Sequence, residues 1–210
     1  MKITNIFHFL QVGVIEENCI IAKCPKTSKA IVFDPGDEPN KIIDYIKKIN
    51  AVPELIVNTH GHHDHIGAVP YLKKKYNIHF WVHEKEEEYL LDPSKNYSEL
   101  SGKPIRIKPD KLLTEADSVS IGTLNFKILH TPGHTLGSCC YLCNNVLISG
   151  DTIFAGSIGR CDLYGGNEKE IFRSIKNKIL PLNDNTLIIP GHGRHTTLKE
   201  EKVFNPFLQL

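Results

Sequence analysis

Short apolar runs alternate with turn residues and amphipathic segments along the chain, and this pattern predicts its secondary structure. Three strands are expected near residues 2–10, 17–23 and 29–34, and the third ends in a Pro-Gly turn. A helix should follow, because four isoleucines recur at helical spacing with lysines on the other face: Ile42, Ile43, Ile46 and Ile49. The next elements should be a strand over 54–58, a helix over 68–76, an extended segment over 78–83 and a helix over 84–91 whose charges form a solvated face.

The second half of the chain is richer in strand signals. Residues 92–117 are polar and irregular in pattern, and extended hairpins are expected from Ser118 onward. Asn167 should cap a helix that continues to Ile179, and the run "TLIIPGHG" predicts a final strand and loop. Thr197 and Glu200 have the spacing of a capping box. The whole order predicts an α/β (α+β) chain in which two sheets face each other with helices outside, as one domain over residues 1–210.

Charge and composition exclude several classes of partner. Lysine plus arginine number 25 and aspartate plus glutamate 24, a net charge of +1 that gives no field to recruit nucleic acid or an anionic membrane. No apolar run reaches the roughly 18 to 20 residues of a membrane span, and the amino terminus does not resemble a secretory signal. Cys139, Cys140 and Cys143 crowd one predicted strand, so we expect reduced core or surface thiols and a cytoplasmic protein.

Residues 60–65 concentrate metal-binding side chains in the sequence "NTHGHHDHIGAVP". Four histidines and an aspartate occupy these six positions, directly after an apolar strand. In an extended segment, His60 and His62 point to the same side and can reach one ion together. If a helix begins near Asp64, that aspartate and His65 point elsewhere and could hold a second ion beside the first.

Three further candidates occupy glycine-bearing turns at the ends of predicted strands. They are His134 in "HTPGHTLGS", Asp151 in "ISGDTIF" and His192 in "IPGHGRH". Glycine lets a loop bend sharply and aim one side chain inward. A lone loop histidine is more often a surface residue, but seven such residues at strand ends together predict a functional site.

These motifs resemble the metallo-β-lactamase fold superfamily of hydrolases, and within it the small single-domain glyoxalase II-like (hydroxyacylglutathione hydrolase-like) group. The resemblance runs from "NCIIA" and "IVFDPGD" to "GHGRHTTLKEEKVFNPFL". It implies a four-layer αββα sandwich. It also implies two metal sites that share one bridging ligand: His60, His62 and His134 for the first metal, Asp64, His65 and His192 for the second, and Asp151 as the bridge.

The resemblance implies binuclear chemistry. Two divalent ions, zinc first with iron or manganese as alternatives, would share a water, lower its pKa and present hydroxide to a polarised carbonyl. Asp64 could steer that hydroxide or accept its proton. Asp34, in "IVFDPG", is either an orienting residue behind the metals or a turn residue.

The expected substrate is a small acyl thiol. Arg160 stands where glyoxalase II enzymes place a lysine that binds a glutathione carboxylate, and an arginine could hold the same group. The alternative for Arg160 is a structural ion pair with Asp162. Because the sequence ends at Leu210, we expect no separate C-terminal helical glutathione-binding domain, so another acyl thiol stays open.

Other functions share the fold or the residues. A persulfide dioxygenase would use one iron on His60, His134 and Asp151 and leave Asp64 and His192 empty. A β-lactamase would carry cysteine or serine where this chain has Asp151, and a ribonuclease is disfavoured by the neutral charge. The protein could also be a metal-binding module without catalysis.

Overall fold

The structure is a computed structural model that describes residues 5–209. Its first half forms one sheet in strand order β1-β2-β3-β4-β5-β6. The first three strands pair antiparallel, and the pairs from β3 to β6 are parallel. The six strands are β1 Phe7–Val12, β2 Glu17–Lys23, β3 Lys29–Phe33, β4 Val52–Val57, β5 His79–His83 and β6 Lys111–Leu113.

The second half contributes the other large sheet and a small ribbon. Its strands are β7 Ser118–Ile121, β8 Leu124–His130, β9 Cys139–Cys143, β10 Val146–Gly150, β11 Ile153–Phe154, β12 Ser157–Ile158, β13 Leu187–Pro190 and β14 Thr196–Thr197. The large sheet has the order β14-β13-β10-β9-β8-β7, and β11 pairs only with β12.

Within residues 5–209 the chain forms six short helices. They are α1 Pro39–Lys48, α2 His63–Ile66, α3 Val69–Tyr76, α4 Glu87–Leu91, α5 Glu168–Ser174 and α6 Leu198–Phe204. A 3₁₀ turn precedes α4 (Glu84–Glu86), a π turn extends α5 (Ile175–Ile179) and a 3₁₀ turn follows α6 (Pro206–Leu208). None of the helices within 5–209 is both long enough and apolar enough to cross a bilayer.

Three apolar clusters separate four layers, which confirms the predicted αββα sandwich. Phe33, Phe126 and Tyr141 belong to the central cluster between the two sheets. α1 and α3 pack on the outer face of the first sheet, and α5 and α6 pack on the outer face of the second. The alternation of apolar runs with turn residues and amphipathic segments therefore predicted the layers. Each sheet is covered on both faces, so its strands are continuous apolar runs.

Most predicted elements are present, with corrections at their boundaries. β1 begins at Phe7 and ends at Val12, later than the predicted 2–10, and residues 2–4 lie outside the described residues. The segment 92–117 is not wholly irregular, because Lys111–Leu113 adds an edge strand beside β5. Asn167 caps α5, and Thr197 with Glu200 forms the predicted capping box. Cys139, Cys140 and Cys143 are buried free thiols in β9.

Candidate metal centre

The seven predicted ligands converge at one end of the two sheets. His60 and His62 follow β4, and Asp64 and His65 lie in α2. The other three sit just beyond strands of the second sheet: His134 after β8, Asp151 after β10 and His192 after β13. The strands are fixed by the buried cores, so the loops between them hold these side chains on a rigid frame.

One group of ligands consists of three histidines. Nδ1 of His62 lies 2.9 Å from Nε2 of His134, and the ring centroids of His60 and His134 are 4.8 Å apart. One nitrogen from each of the three rings lies within 4.8 Å of the others. This spacing fits a single ion held by three imidazoles.

A second group adjoins the first and contains Asp64, His65 and His192. Oδ2 of Asp64 lies 3.2 Å from Nε2 of His192 and 3.5 Å from Nε2 of His65. Asp151 stands between the groups: its Oδ1 is 3.5 Å from Nε2 of His65, and its Oδ2 is 3.6 Å from Nε2 of His134. The Asp151 carboxylate is therefore within reach of both ligand groups.

The hydrogen bonds of the histidines orient them as metal ligands. Nδ1 of four rings faces an oxygen acceptor: the Thr59 hydroxyl for His60 (3.1 Å), Asp34 Oδ2 for His65 (3.1 Å), the Arg160 carbonyl for His134 (2.8 Å) and the Ile15 carbonyl for His192 (3.1 Å). Each such bond places the ring hydrogen on Nδ1. Nε2 then carries a free lone pair that points toward the other ligands. Nε2 of His60, Nε2 of His65 and Oδ1 of Asp151 are buried and accept no hydrogen bond from residues 5–209. The donor set thus fits two divalent cations.

Burial and neighbouring charges set the protonation of the group. Burial, helped by the other histidines, lowers the pKa of His60 well below its ordinary value and that of His62 to about 3. Burial opposes ionisation of Asp64 and Asp151, but His65 and the other histidines around them outweigh it and lower both pKa values. Burial opposes protonation of His65 and His192, but Asp64 and Asp151 outweigh it and raise both pKa values, so a metal ion that binds the second group must displace protons from these two imidazoles.

Asp34 is an orienting residue rather than only a turn residue. It is fully buried just after β3, in the left-handed region at φ 47°. Its carboxylate accepts hydrogen bonds from the Thr59 amide (2.7 Å) and hydroxyl (2.6 Å) in addition to His65. Asp34 therefore links the loop after β4 to the second ligand group.

Two buried carboxylates near the centre were missed by sequence reasoning. Glu17 lies with Oε1 3.8 Å from Nδ1 of His65, and burial raises its pKa well above the ordinary value. Glu86 was expected on the solvated face of 84–91, but it is fully buried, so that expectation is wrong for this residue. The helical spacing of charges does not show which of them a neighbouring loop will cover.

Glu86 joins the two loops that carry the three-histidine group. Its Oε2 accepts the Gly61 amide (2.7 Å), between His60 and His62. Its Oε1 accepts the Thr135 hydroxyl (2.6 Å) and the Gly137 amide (2.8 Å), beside His134. A Cβ at Gly137 would stand 2.8 Å from that oxygen, so glycine there permits the approach.

We expect Glu86→Gln to weaken metal binding by the three-histidine group. The amide replaces one acceptor oxygen with a donor that faces another donor, which costs about 1–3 kcal/mol of stability. Loss of a supporting contact behind a ligand typically lowers metal affinity about 10- to 100-fold. Stepwise titration with Co²⁺, monitored by visible absorption, measures the metal affinity of the variant. Glu88→Gln on the more exposed side of α4 is the control, and equal titrations for both variants would contradict this role.

A cavity of about 560 Å³ opens over the centre. Asp64, His134, Asp151 and His192 line its floor, and Arg160 lies at one side. Arg160 forms the predicted alternative contact, an ion pair through two hydrogen bonds of 2.8 Å to Asp162. Both side chains are more than half exposed, so this pair contributes little stability and can exchange partners.

The sequence comparison decides the family. Residues 12–192 match the family described as Metallo-beta-lactamase superfamily. The chain belongs to this superfamily. The probable metallo-hydrolase YqgX of Bacillus subtilis is 39% identical over 95% of this chain and 95% of its own length. The hydroxyacylglutathione hydrolase GloC of Haemophilus influenzae is 34% identical over 95% of this chain and 96% of its own length.

Solved structures of the superfamily share the whole architecture. The BLEG-1 B3 metallo-beta-lactamase superposes with a TM-score of 0.93 at 41% identity, covering 97% of this chain and all of its own. TTHA1623, crystallised in a di-iron-bound form, superposes with a TM-score of 0.85 at 32% identity. The match covers 96% of this chain and all of TTHA1623. The chain is thus a metallo-β-lactamase superfamily hydrolase with a candidate metal site.

Proposed function

We propose that this chain is a binuclear metal-dependent hydrolase that cleaves a small thioester, of the hydroxyacylglutathione hydrolase type. The arrangement of Asp151 carries the proposal, since its carboxylate touches both ligand groups at the floor of a cavity that also contains a cation, Arg160. The similarity to GloC supports the thioester class. Cytoplasmic location and the absence of nucleic-acid or membrane partners stay predictions.

The residues of the centre have distinct tasks in this reaction. Two divalent ions bound there, zinc first with iron or manganese as alternatives, would acidify a water and polarise the substrate carbonyl. His60, His62 and His134 would hold one ion, and Asp64, His65 and His192 would hold the other. Asp151 lies between the two ligand groups and fixes their separation. Asp64 lines the cavity with Oδ2 toward His192 and His65, which leaves Oδ1 to steer a water at the centre or to accept its proton.

The function is tested by measuring metals per chain and two reactions on the same preparation. Hydrolysis of S-D-lactoylglutathione is followed beside oxygen uptake with glutathione persulfide. We expect thioester cleavage with two metals per chain and no oxygen uptake. Oxygen uptake with one iron per chain would instead establish the persulfide dioxygenase. A metal-loaded protein inert in both assays would favour a binding module.

β-Lactam hydrolysis is the second candidate function, and the similarity to BLEG-1 favours it. Asp151 stands where we expected a β-lactamase to carry cysteine or serine, which argues for the thioester. A chromogenic cephalosporin, assayed under the same conditions, compares the two. A larger kcat/KM for the cephalosporin than for the thioester would reverse the order of the candidates.

Arg160→Ala is expected to raise KM for S-D-lactoylglutathione about tenfold with little change in kcat. The guanidinium would exchange Asp162 for a substrate carboxylate, and a hydrogen bond to a charged group has about this strength. Steady-state kinetics measure the effect. Arg173→Ala, an exposed arginine on α5 that does not line the cavity, is the control. An unchanged KM for Arg160→Ala would contradict the carboxylate anchor.

A further inference from the structure

The cavity over the metal centre has two chemically different ends. At one end lies Arg160, whose carbonyl accepts the hydrogen bond from His134. At the other end lies Ile15, whose carbonyl faces Nδ1 of His192. Asp151 connects the two ends, because its Oδ2 lies 3.6 Å from Nε2 of His134 and 3.8 Å from Nε2 of His192. A substrate that reaches Arg160 with one half must therefore extend its other half past Asp64 toward Ile15.

The Ile15 end continues into a second cavity of about 420 Å³. The two cavities share Ile15, His63, Asp64 and Ser101, so they form one path along the floor of the site. Val12, Val14 and Ile105 line the second cavity, and its two remaining charged residues, Asp37 and Lys103, have opposite signs. This space is suited to an uncharged, apolar group.

Large apolar side chains stand exposed along this path. Val14 is 99% exposed, Leu100 84% and Ile15 51%. Val14 and Ile15 form the turn between β1 and β2, and Leu100 faces the first cavity from the loop after α4. Apolar groups that cluster in water around a cleft mark a ligand-binding surface, because a ligand that covers them gains their transfer free energy.

We propose that the second cavity binds the acyl chain of the substrate, so that the preferred thioesters carry apolar acyl groups longer than lactoyl. This inference rests on the proposed thioester hydrolysis. The thiol half would lie toward Arg160 and the carbonyl carbon over Asp64 and Asp151. Hydrolysis forms a carbon–oxygen bond from water and breaks the carbon–sulfur bond. The thiolate takes up the proton, so acid and thiol leave without another reactant.

The first test is a chain-length series with a constant thiol. The metal-loaded protein is assayed with S-acetyl-, S-butyryl- and S-hexanoylglutathione. We expect kcat/KM to rise with length, by up to about fourfold for each methylene that is buried. Ser101→Trp places a large ring where the two cavities meet, on an exposed loop. The Ser101→Trp variant should lower kcat/KM more for S-hexanoylglutathione than for S-acetylglutathione. Ser120→Trp, at an exposed position of β7, is the control and should keep the wild-type dependence of kcat/KM on acyl chain length.

The second test separates failure of the acyl cavity from failure of the proposed reaction. S-Hexylglutathione and S-methylglutathione carry a thioether in place of the thioester, so the proposed reaction has no bond to cleave in them. Calorimetry measures their binding to the metal-loaded protein. We expect the hexyl compound to bind more tightly and Ser101→Trp to remove the difference. Equal affinities would overturn the acyl cavity, whatever the activity. A hexyl preference without hydrolysis of any thioester would support the cavity and overturn the proposed reaction.

Discussion

Asp151→Ala is expected to abolish turnover and to reduce the bound metal below two per chain. The carboxylate lies within 3.8 Å of a nitrogen of His65, His134 and His192, so its removal takes one ligand from each group. Loss of an outer-shell partner costs about 10- to 100-fold in affinity or activity, and loss of a shared ligand should exceed that range. Metal analysis and thioester kinetics on the purified variant measure both effects.

Asp44→Ala provides the matched control for this variant. Asp44 is an exposed aspartate on α1 that pairs with Lys47 across one turn, and its removal should leave metal content and activity unchanged. If Asp151→Ala kept two metals and activity within tenfold of the wild type, Asp151 would not be the shared ligand.

Gly191→Ala is expected to damage the centre almost as severely, although glycine contributes no ligand atom. A Cβ at this position would stand 2.2 Å from Oδ1 of Asp151 and 2.8 Å from Cε1 of His65. Neither group can retreat freely: His65 is fully buried and held by Asp34, and Asp151, whose side chain is 12% exposed, lies against His65, His134 and His192. The methyl group should therefore displace the bridging carboxylate, with an activity loss of more than about 100-fold.

The effect of Gly191→Ala should be confined to the centre. Far-UV circular dichroism of the metal-free variant should match the wild type, while its metal content falls. Gly156→Asn is the control, because Gly156 has open space around it and a left-handed backbone (φ 75°) that asparagine tolerates. A Gly191→Ala protein with normal metal content and activity would show that the space beside Asp151 is not needed.

The sequence predicted the layers and the ligands because both depend on local signals. Continuous apolar runs mark strands that are covered on both faces, and apolar residues at helical spacing mark the helices that cover them. Glycine turns directly after strands mark loops that aim His134, Asp151 and His192 toward one end of the fold. The assignment of these residues to two ions rests on the family resemblance and stays a prediction, with which the distances between the side chains are compatible.

The supporting contacts could not be predicted because they depend on packing between distant segments. Glu86 shares a run of glutamates with neighbours that are less buried, and the distant loops at Gly61 and Gly137 cover it. Glu17 opens a strand whose buried face is apolar, so nothing in its own segment predicts a carboxylate behind His65. The edge strand Lys111–Leu113 is too short to produce a clear alternation.

The central claim is that seven side chains hold two neighbouring metal ions. Anomalous diffraction from crystals of the zinc-loaded protein, recorded on both sides of the zinc edge, tests it most directly. We predict two peaks about 3.5–4 Å apart, one among His60, His62 and His134 and one among Asp64, His65 and His192, with Asp151 between them. A single peak, or peaks outside these two groups, would contradict the binuclear centre.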